Sequence, residues 1–385
     1  LGLRTTLAVY YFAFFGTMGA YFPYLPPWLA EQGFSGVQIS LITALMPVMS
    51  VLAPPLFGLL SDSFALRGAL IRVAGFGAIL ACATLAAFSF SDLGSSFSLL
   101  FICIFAFTFF RAPMAQLSDV LALEQAGDYA RLRVWGSIGF MVAAPLAGRY
   151  VPLSPTWMLP LSVGLGLVAV FAISFALPAR GKLPETPTLT ETRKLLRRGL
   201  FQWFLLVAAL GQAAHAAYDL CISLHLRDLG ASGTTIGFAW AIATAGEVVV
   251  MAISAWLLRR FSLAWWLLIA LVTGALRWAF LAGASDVDLI VALQPVHGLT
   301  FGMRWVVSMM IVRSFASNSN LATAQGLYLA AMSAGGALGL VSWGKLYDLA
   351  GSRDVFSGAC ALATLAALSV LPLLRRQTRR QPATA

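Results

Sequence analysis

The sequence predicts an all-α membrane protein of twelve transmembrane helices, arranged as two six-helix bundles. Three observations predict it. Only 10% of the 385 residues are charged while 60% are hydrophobic, against roughly 25% charged in a soluble domain. The apolar residues fall in runs of about 20, the length that crosses a bilayer as a helix. One long polar stretch, 178–199, divides these runs into two sets of six. A mean hydropathy of +0.85 leaves too little polar surface for a soluble enzyme, a nucleic-acid-binding domain or a disordered chain.

Taken in order, the runs are 5–29, 37–60, 69–90, 98–121, 133–152 and 157–177, then 200–226, 235–257, 264–283, 289–312, 323–346 and 356–374. Each must satisfy its own backbone polar groups in lipid, so each is helical. Barrel strands would be about ten residues long and alternating, and no such alternation occurs. The first run is too long for a signal-peptide core and lacks a small-residue cleavage motif, so it reads as a true span. The missing initial Met points to a trimmed chain. Between the sixth and seventh runs lies PARGKLPETPTLTETRKLLRRG, with three prolines and eight charged residues. It reads as a cytoplasmic linker, and Glu191 to Arg198 fits a short amphipathic surface helix. The organisation is then 1–177, linker 178–199, 200–374, and a basic tail 375–385.

Orientation follows from the positive charges. With both termini in the cytoplasm, the inner loops, linker and tail hold most of the 25 Lys and Arg. Arg149, Arg227, Lys345 and Arg353 fall on the opposite side. Arg72, Arg111, Arg133, Arg277 and Arg304 lie inside or at the edge of spans. That bias sets the topology and accounts for the net charge of +10 without a nucleic-acid partner. Cys82, Cys103, Cys221 and Cys360 sit in apolar runs with no Cys-x-x-Cys pair, so neither a disulfide framework nor a metal site is expected. No cofactor is expected. A monomer surrounded by lipid in a bacterial inner membrane is.

Twelve spans with a central linker suggest a carrier of two halves, and motifs sharpen this. Gly58-Leu-Leu-Ser-Asp62, followed by Arg67, resembles the loop signature between spans two and three of the major facilitator superfamily. Ser63, Ala65 and Leu66 replace its usual basic and Gly positions. Asp62 near a helix end can pair with an Arg and latch the two halves on the inner side. Gly344-Lys-Leu-Tyr-Asp348 repeats the spacing. Asp128-Tyr-Ala-Arg131-Leu-Arg133-Val-Trp-Gly136-Ser-Ile-Gly139 resembles the opening of span five in the lactose permease branch, which includes phenylpropionate permeases and nucleoside–proton symporters. Tyr218-Asp219, Gly246-Glu247, Arg277 and His297-Gly-Leu-Thr-Phe-Gly302 follow in order. The last is most similar to the phenylpropionate type. The resemblance covers nearly the whole chain and implies the major facilitator fold.

A charge at mid-bilayer costs roughly 2.5–3.5 kcal/mol on insertion scales, so those retained must pair or serve an aqueous path. In the second half they are His215, Asp219, Glu247, Arg277, His297 and Arg304. His297, Thr300 and Arg304 share a face of span ten. Glu247 and Arg277, opposite in sign on neighbouring spans, can neutralise each other, and Glu247 is expected to lie near Arg277 or His297. Arg304 either joins this cluster or snorkels to the inner face. The resemblance implies that Asp219, Glu247, Arg277 and His297 form a proton-coupling network. Ile222, Gln294 and Thr300 replace an acid, a base and a proton-carrying Glu of the lactose permease. Glu247 or Asp219 would then carry the proton.

In the first half the candidates are Arg111, Gln116, Asp119 and Arg133. The resemblance implies a substrate-binding role for Arg133, whose Glu partner in the permease is replaced by Gln116. Asp119, one turn on, is the alternative partner. Two arginines against one acid leave this half positive, and a planar guanidinium suits a carboxylate or phosphate. Tyr11 and Phe15, one turn apart on span one, are placed to stack on a flat substrate. Spans one, four, seven and ten are expected to line the cavity.

No Walker A motif or phosphorylated-Asp motif occurs, which argues against a primary pump. A membrane enzyme would expose a catalytic cluster in a polar loop, and 178–199 holds no His or Cys. The reading is a proton-coupled symporter importing a small organic, best an aromatic, carboxylate. A sugar or nucleoside symporter is the alternative, and a siderophore or drug carrier stands behind it.

Overall fold

The structure is a computed structural model. It describes all residues except 1, 65, 91–95, 126–128, 151–154, 180–196, 317–319 and 379–385. Most of the linker and of the basic tail therefore lie outside the described residues, as does the side chain of Asp62. Among the described residues there is helix and no strand, as a chain solvated by lipid requires.

The first half builds α1 (Leu3–Tyr21), α2 (Leu25–Glu31), α3 (Gly36–Phe64), α4 (Arg67–Phe88), α5 (Phe97–Gln125), α6 (Tyr129–Tyr150) and α7 (Met158–Ser174). The run expected as one helix over 5–29 is two. The chain turns at 22–24, and α2 restarts with proline in its first turn, where a missing N–H costs no helical bond. The second half builds α8 (Gly199–Asp228), α9 (Gly233–Leu257) and α10 (Leu263–Gly283). Span ten is broken into α11 (Val287–Ala292), a 3₁₀ turn (Gln294–Val296), a π-helical segment (Gly298–Met303) and α12 (Arg304–Phe315). Then come α13 (Leu321–Leu368) and α14 (Leu371–Thr378). Spans eleven and twelve meet within α13 at Gly351, whose φ of 80° is open to glycine and strained for other residues.

Seven of the described helices are long and apolar enough to cross a membrane. Arg4, the threonines and the tyrosines lower the hydropathy of α1, span ten is interrupted, and α13 holds two spans. The helix count agrees with a twelve-span major facilitator fold.

The chain divides into two compact units, Leu1–Pro184 with Ser223–Ile242, and Glu185–Ile222 with Ala243–Ala385. Within lipid, helices associate by close packing of small residues. In the first unit α1 crosses α6 where a Cβ at Gly139 would overlap the Phe12 carbonyl, and one at Gly19 would stand 2.7 Å from the Phe140 carbonyl oxygen. In the second, Gly335 lies against Ala209, and Gly298 against the Gly246 carbonyl. Phe201, Phe204, Trp266, Leu267, Val307 and Tyr328 belong to its apolar core.

Candidate functional site

Each unit carries its own polar cluster. In the second unit the cluster forms where span ten stops being α-helical. Pro295 and two glycines interrupt the regular ladder, and the π segment turns His297, Thr300 and Arg304 inward; π segments recur at functional sites. All three are buried.

Arg277 on α10 is the hub. Its Nη2 donates to Gln294 Oε1 at 2.7 Å, and its Nη1 lies 2.9 Å from His297 Nδ1 and 3.3 Å from Thr300 Oγ1. Its guanidinium carbon sits 4.5 Å from the Tyr218 ring centre and 5.1 Å from that of Trp278. Tyr218 donates its hydroxyl to the same Gln294 oxygen at 3.0 Å. Gln294, fully buried, is itself fixed by an Nε2 bond to the Ile290 carbonyl.

Glu247 on α9 does not meet Arg277. Its Oε1 lies 2.9 Å from His297 Nε2. Of the two neighbours expected for Glu247, His297 and not Arg277 lies against it, so the imidazole stands between acid and base. A guanidinium can only donate. His297 Nδ1 must therefore accept, and the ring proton sits on Nε2, facing the carboxylate. His297 is held neutral with both nitrogens engaged.

Arg304 does not snorkel. It is buried, donating from Nη2 to Gln212 Oε1 at 2.7 Å and from Nε to the Thr300 carbonyl at 3.1 Å. His215 is buried beside Tyr218, Trp278 and His297, with the two imidazole centres 5.1 Å apart. Its Nε2 lies 3.9 Å from Asp219, whose side chain is 38% exposed. So both acids of this cluster, Glu247 and Asp219, face an imidazole, and both of its buried arginines are held by neutral acceptors.

In the first unit, Tyr11 donates to Asp119 at 2.8 Å. Arg133 stacks on Phe15 with its guanidinium carbon 3.8 Å from the ring centre, and reaches Tyr11 at 5.8 Å. Gly136 makes room for this, since a Cβ there would stand 2.6 Å from the Phe15 ring and 2.8 Å from Arg133 Nη1. Arg133 is an electrostatic neighbour of Asp119. Arg111 is buried apart from them, its Nη1 against the Met18 sulfur at 3.6 Å and its Nε without a partner. Gln116 is exposed on α5. Gly58 faces open space, and Arg67 is buried at the start of α4.

Sequence reasoning gave no role to Gln212, Trp278 or Met18. Gln212 was within reach, being a polar residue in an apolar run three before His215 and so on its face. The described residues hold no group of three or more His, Cys, Asp or Glu arranged for a metal.

A family model described as "MFS_1 like family" matches residues 4–358. The maltose permease of Geobacillus stearothermophilus is 28% identical over 338 residues, covering 85% of this chain and 83% of that protein. The "Probable 3-phenylpropionic acid transporter" of Escherichia coli is 27% identical over 379 residues, covering 95% and 96%. The crystal structure of the nucleoside transporter NupG superposes with a TM-score of 0.80 at 18% identity, covering 97% of this chain and 99% of that one. That likeness is one of fold.

Proposed function

The chain belongs to the MFS_1 like family and is an integral membrane transporter of small molecules. From that premise we propose that it is a proton-coupled symporter importing a small organic acid by alternating access. The observation that supports coupling most is the Glu247–His297–Arg277 relay. Glu247 is the one group of the relay free to take up and release a proton. When it is protonated, the positive charge of Arg277 loses its only relayed counter-charge, because Gln294, Thr300 and His297 are all neutral. An anionic substrate then restores the balance, so proton and anion favour each other's binding.

Support for an organic acid comes from Arg111, a buried guanidinium with no carboxylate within ion-pair distance among the described residues. A buried charge left unpaired is costly, and a substrate carboxylate would relieve it. Phe15 and Tyr11, already stacked on each other and on Arg133, offer faces for a flat ring. Asp219 and His215 form the second acid–imidazole pair of the proposal. The Gly58, Asp62 and Arg67 segment acts as an inner gate. The proposal includes cytoplasmic termini, a bacterial inner membrane, a monomer, and the division into 1–177, 178–199 and 200–374.

A second reading has its own support. Asp119 stands beside Arg133, as in a site whose arginine is held by a protein acid and turned to hydroxyl groups. A neutral sugar or nucleoside fits that arrangement. The test is uptake into proteoliposomes under an imposed inward-directed proton gradient. Labelled 3-phenylpropionate, maltose and a nucleoside are compared. Accumulation of the acid alone, abolished by a protonophore, supports the first reading. Accumulation of a neutral solute supports the second, and gradient-independent equilibration of every solute discards proton coupling.

A further inference from the structure

The turn between α9 and α10 lies outside both polar clusters and gathers two arginines among exposed aromatic rings. α9 ends at Leu257 and α10 begins after Ser262. The connecting residues 258–262 are tied to the helix ends. The Arg259 N–H donates to the Trp256 carbonyl and the Arg260 N–H to that of Leu257. The buried Trp266 donates its Nε1–H to the same Leu257 carbonyl at 3.1 Å, and its ring meets the Phe261 ring edge-on with centres 5.6 Å apart. These bonds give the turn a fixed shape.

Arg260 folds back over the end of α9, its guanidinium carbon 4.9 Å from the centre of the Trp256 ring. Among the described residues, the side chains of Arg259 and Arg260 make no hydrogen bond and no ion pair. From Val248 to Ser285 the chain holds no Asp or Glu, so no acid near them in sequence answers the two charges. Both arginines are exposed, and Trp256, Phe261 and Trp265 are each about half exposed. In a membrane protein, half-exposed rings at a helix end stand at the level of the lipid headgroups. A guanidinium stacked on such a ring is held at that level instead of reaching out into water. The Ser262 side chain caps nothing on α10, which leaves its hydroxyl as a further donor.

We propose that this turn is a binding site for an anionic phospholipid, its phosphate held by Arg259 and Arg260 and its glycerol and upper acyl chains lying against Trp256 and Phe261. Planar guanidinium forks match phosphate oxygens, and an anionic headgroup supplies the counter-charge that this stretch of chain lacks. A zwitterionic lipid has no net charge to offer. A free phosphate would meet the arginines and leave the rings unused, whereas a lipid engages both. The site stands whatever solute is carried and whether or not transport is proton-coupled.

The purified protein in neutral detergent is titrated with dioleoyl-phosphatidylglycerol, with the phosphatidylcholine of the same chains, and with inorganic phosphate. Tm is followed, and bound lipid is counted by native mass spectrometry. A saturable rise in Tm and a retained lipid are expected with phosphatidylglycerol alone. Each arginine near an anionic headgroup contributes enough that removing both, in Arg259→Gln with Arg260→Gln, should raise the half-saturating lipid concentration roughly thirtyfold. Trp256→Leu keeps an apolar side chain and removes the stack, and should raise it roughly two- to fivefold. Arg4→Gln with Arg313→Gln removes the same charge from two other exposed positions and should leave it unchanged. An equal loss in this control pair overturns the proposal in favour of diffuse attraction to a basic protein. The same response to phosphatidylcholine, or to inorganic phosphate, overturns it in favour of apolar contact or of a small soluble anion. No response to any of the three, or unaltered lipid binding in Trp256→Leu, overturns it as well.

Discussion

His297 accepts a hydrogen bond from Arg277 at 2.9 Å through Nδ1, and that contact decides what the imidazole can do for Glu247. Because the guanidinium has no lone pair to offer, a second ring proton at Nδ1 would point at a cation. The ring stays neutral, donates to Glu247 at 2.9 Å, and reports the charge of the acid to the arginine.

Replacing Glu247 by Gln fixes the relay in a form that resembles its protonated state. Uphill uptake driven by a proton gradient is expected to be lost. Exchange of labelled for unlabelled substrate, which needs no net proton release, should survive in good part. Accumulation of substrate against its gradient by Glu247→Gln would remove the proton from this residue.

His297 offers a graded test of the relay. His297→Gln retains one acceptor and one donor, so it can bond both neighbours; His297→Ala can bond neither. Hydrogen bonds to charged groups contribute roughly 1.5–3 kcal/mol. Exchange is therefore expected to fall at least tenfold further in the Ala variant than in the Gln variant. Equal loss in both would mean that the imidazole itself shuttles the proton.

The helix packing makes a prediction free of the site. A Cβ at Gly139 overlaps the Phe12 carbonyl, whereas one at Gly326 meets nothing within 4 Å. Gly139→Ala should lower stability by about 1–3 kcal/mol through forced separation of α1 and α6. Gly326→Ala should leave stability unchanged or raise it by up to about 1 kcal/mol. Thermal unfolding in detergent checks the pair.

Glu31 gives a pH dependence whose sign can be worked out. Partial burial raises its pKa, against the opposing attraction of Arg227. An acid whose pKa is higher in the folded state destabilises the fold when ionised, so this contribution to stability increases as pH falls through the folded value. Glu31→Gln should raise Tm slightly at pH 7 and flatten the change in Tm between pH 7 and 5. A lower Tm for the variant at pH 7 would show that the Arg227 attraction outweighs burial.

Composition alone made the spans legible, because a bilayer permits few structures. The same reasoning could not find breaks within a span. Pro26 and Pro27 signalled one after α1, and Pro295 with Gly298 and Gly302 signalled another, yet hydropathy runs straight through both. The cluster was legible as a set of residues: His215, Asp219, Glu247, Arg277, His297, Thr300 and Arg304 do converge within one unit. Its wiring was not. The sequence left Arg277 and His297 both open as the neighbour of Glu247, because which side chains touch depends on helix rotation. Here the π segment carries His297 into the gap. Neutral partners such as Gln212 carry no charge signal, so their part emerged only from the packing.

Arg111 and Arg133 carry the last prediction, on substrate charge, and the two should behave differently. Arg133 is stacked on Phe15 and stands beside Asp119, so its charge is largely answered from within the protein. Among the described residues Arg111 meets the Met18 thioether at 3.6 Å and no carboxylate within ion-pair distance. If a substrate carboxylate is bound, Arg111 is the group with most to gain from it. Loss of a charge-assisted bond of about 1.5–3 kcal/mol corresponds to roughly ten- to a hundredfold in affinity. Arg111→Gln should therefore weaken binding of 3-phenylpropionate by that factor and leave its neutral amide unchanged. Arg133→Gln should weaken acid and amide alike, because what it removes is the stacking platform and the positioning of Asp119. Binding is measured by calorimetry on the purified protein. Equal affinity of wild type for acid and amide would discard the organic-anion reading and favour a neutral solute. A selective loss for the acid in Arg133→Gln, with none in Arg111→Gln, would keep the anion but move its carboxylate to the other arginine.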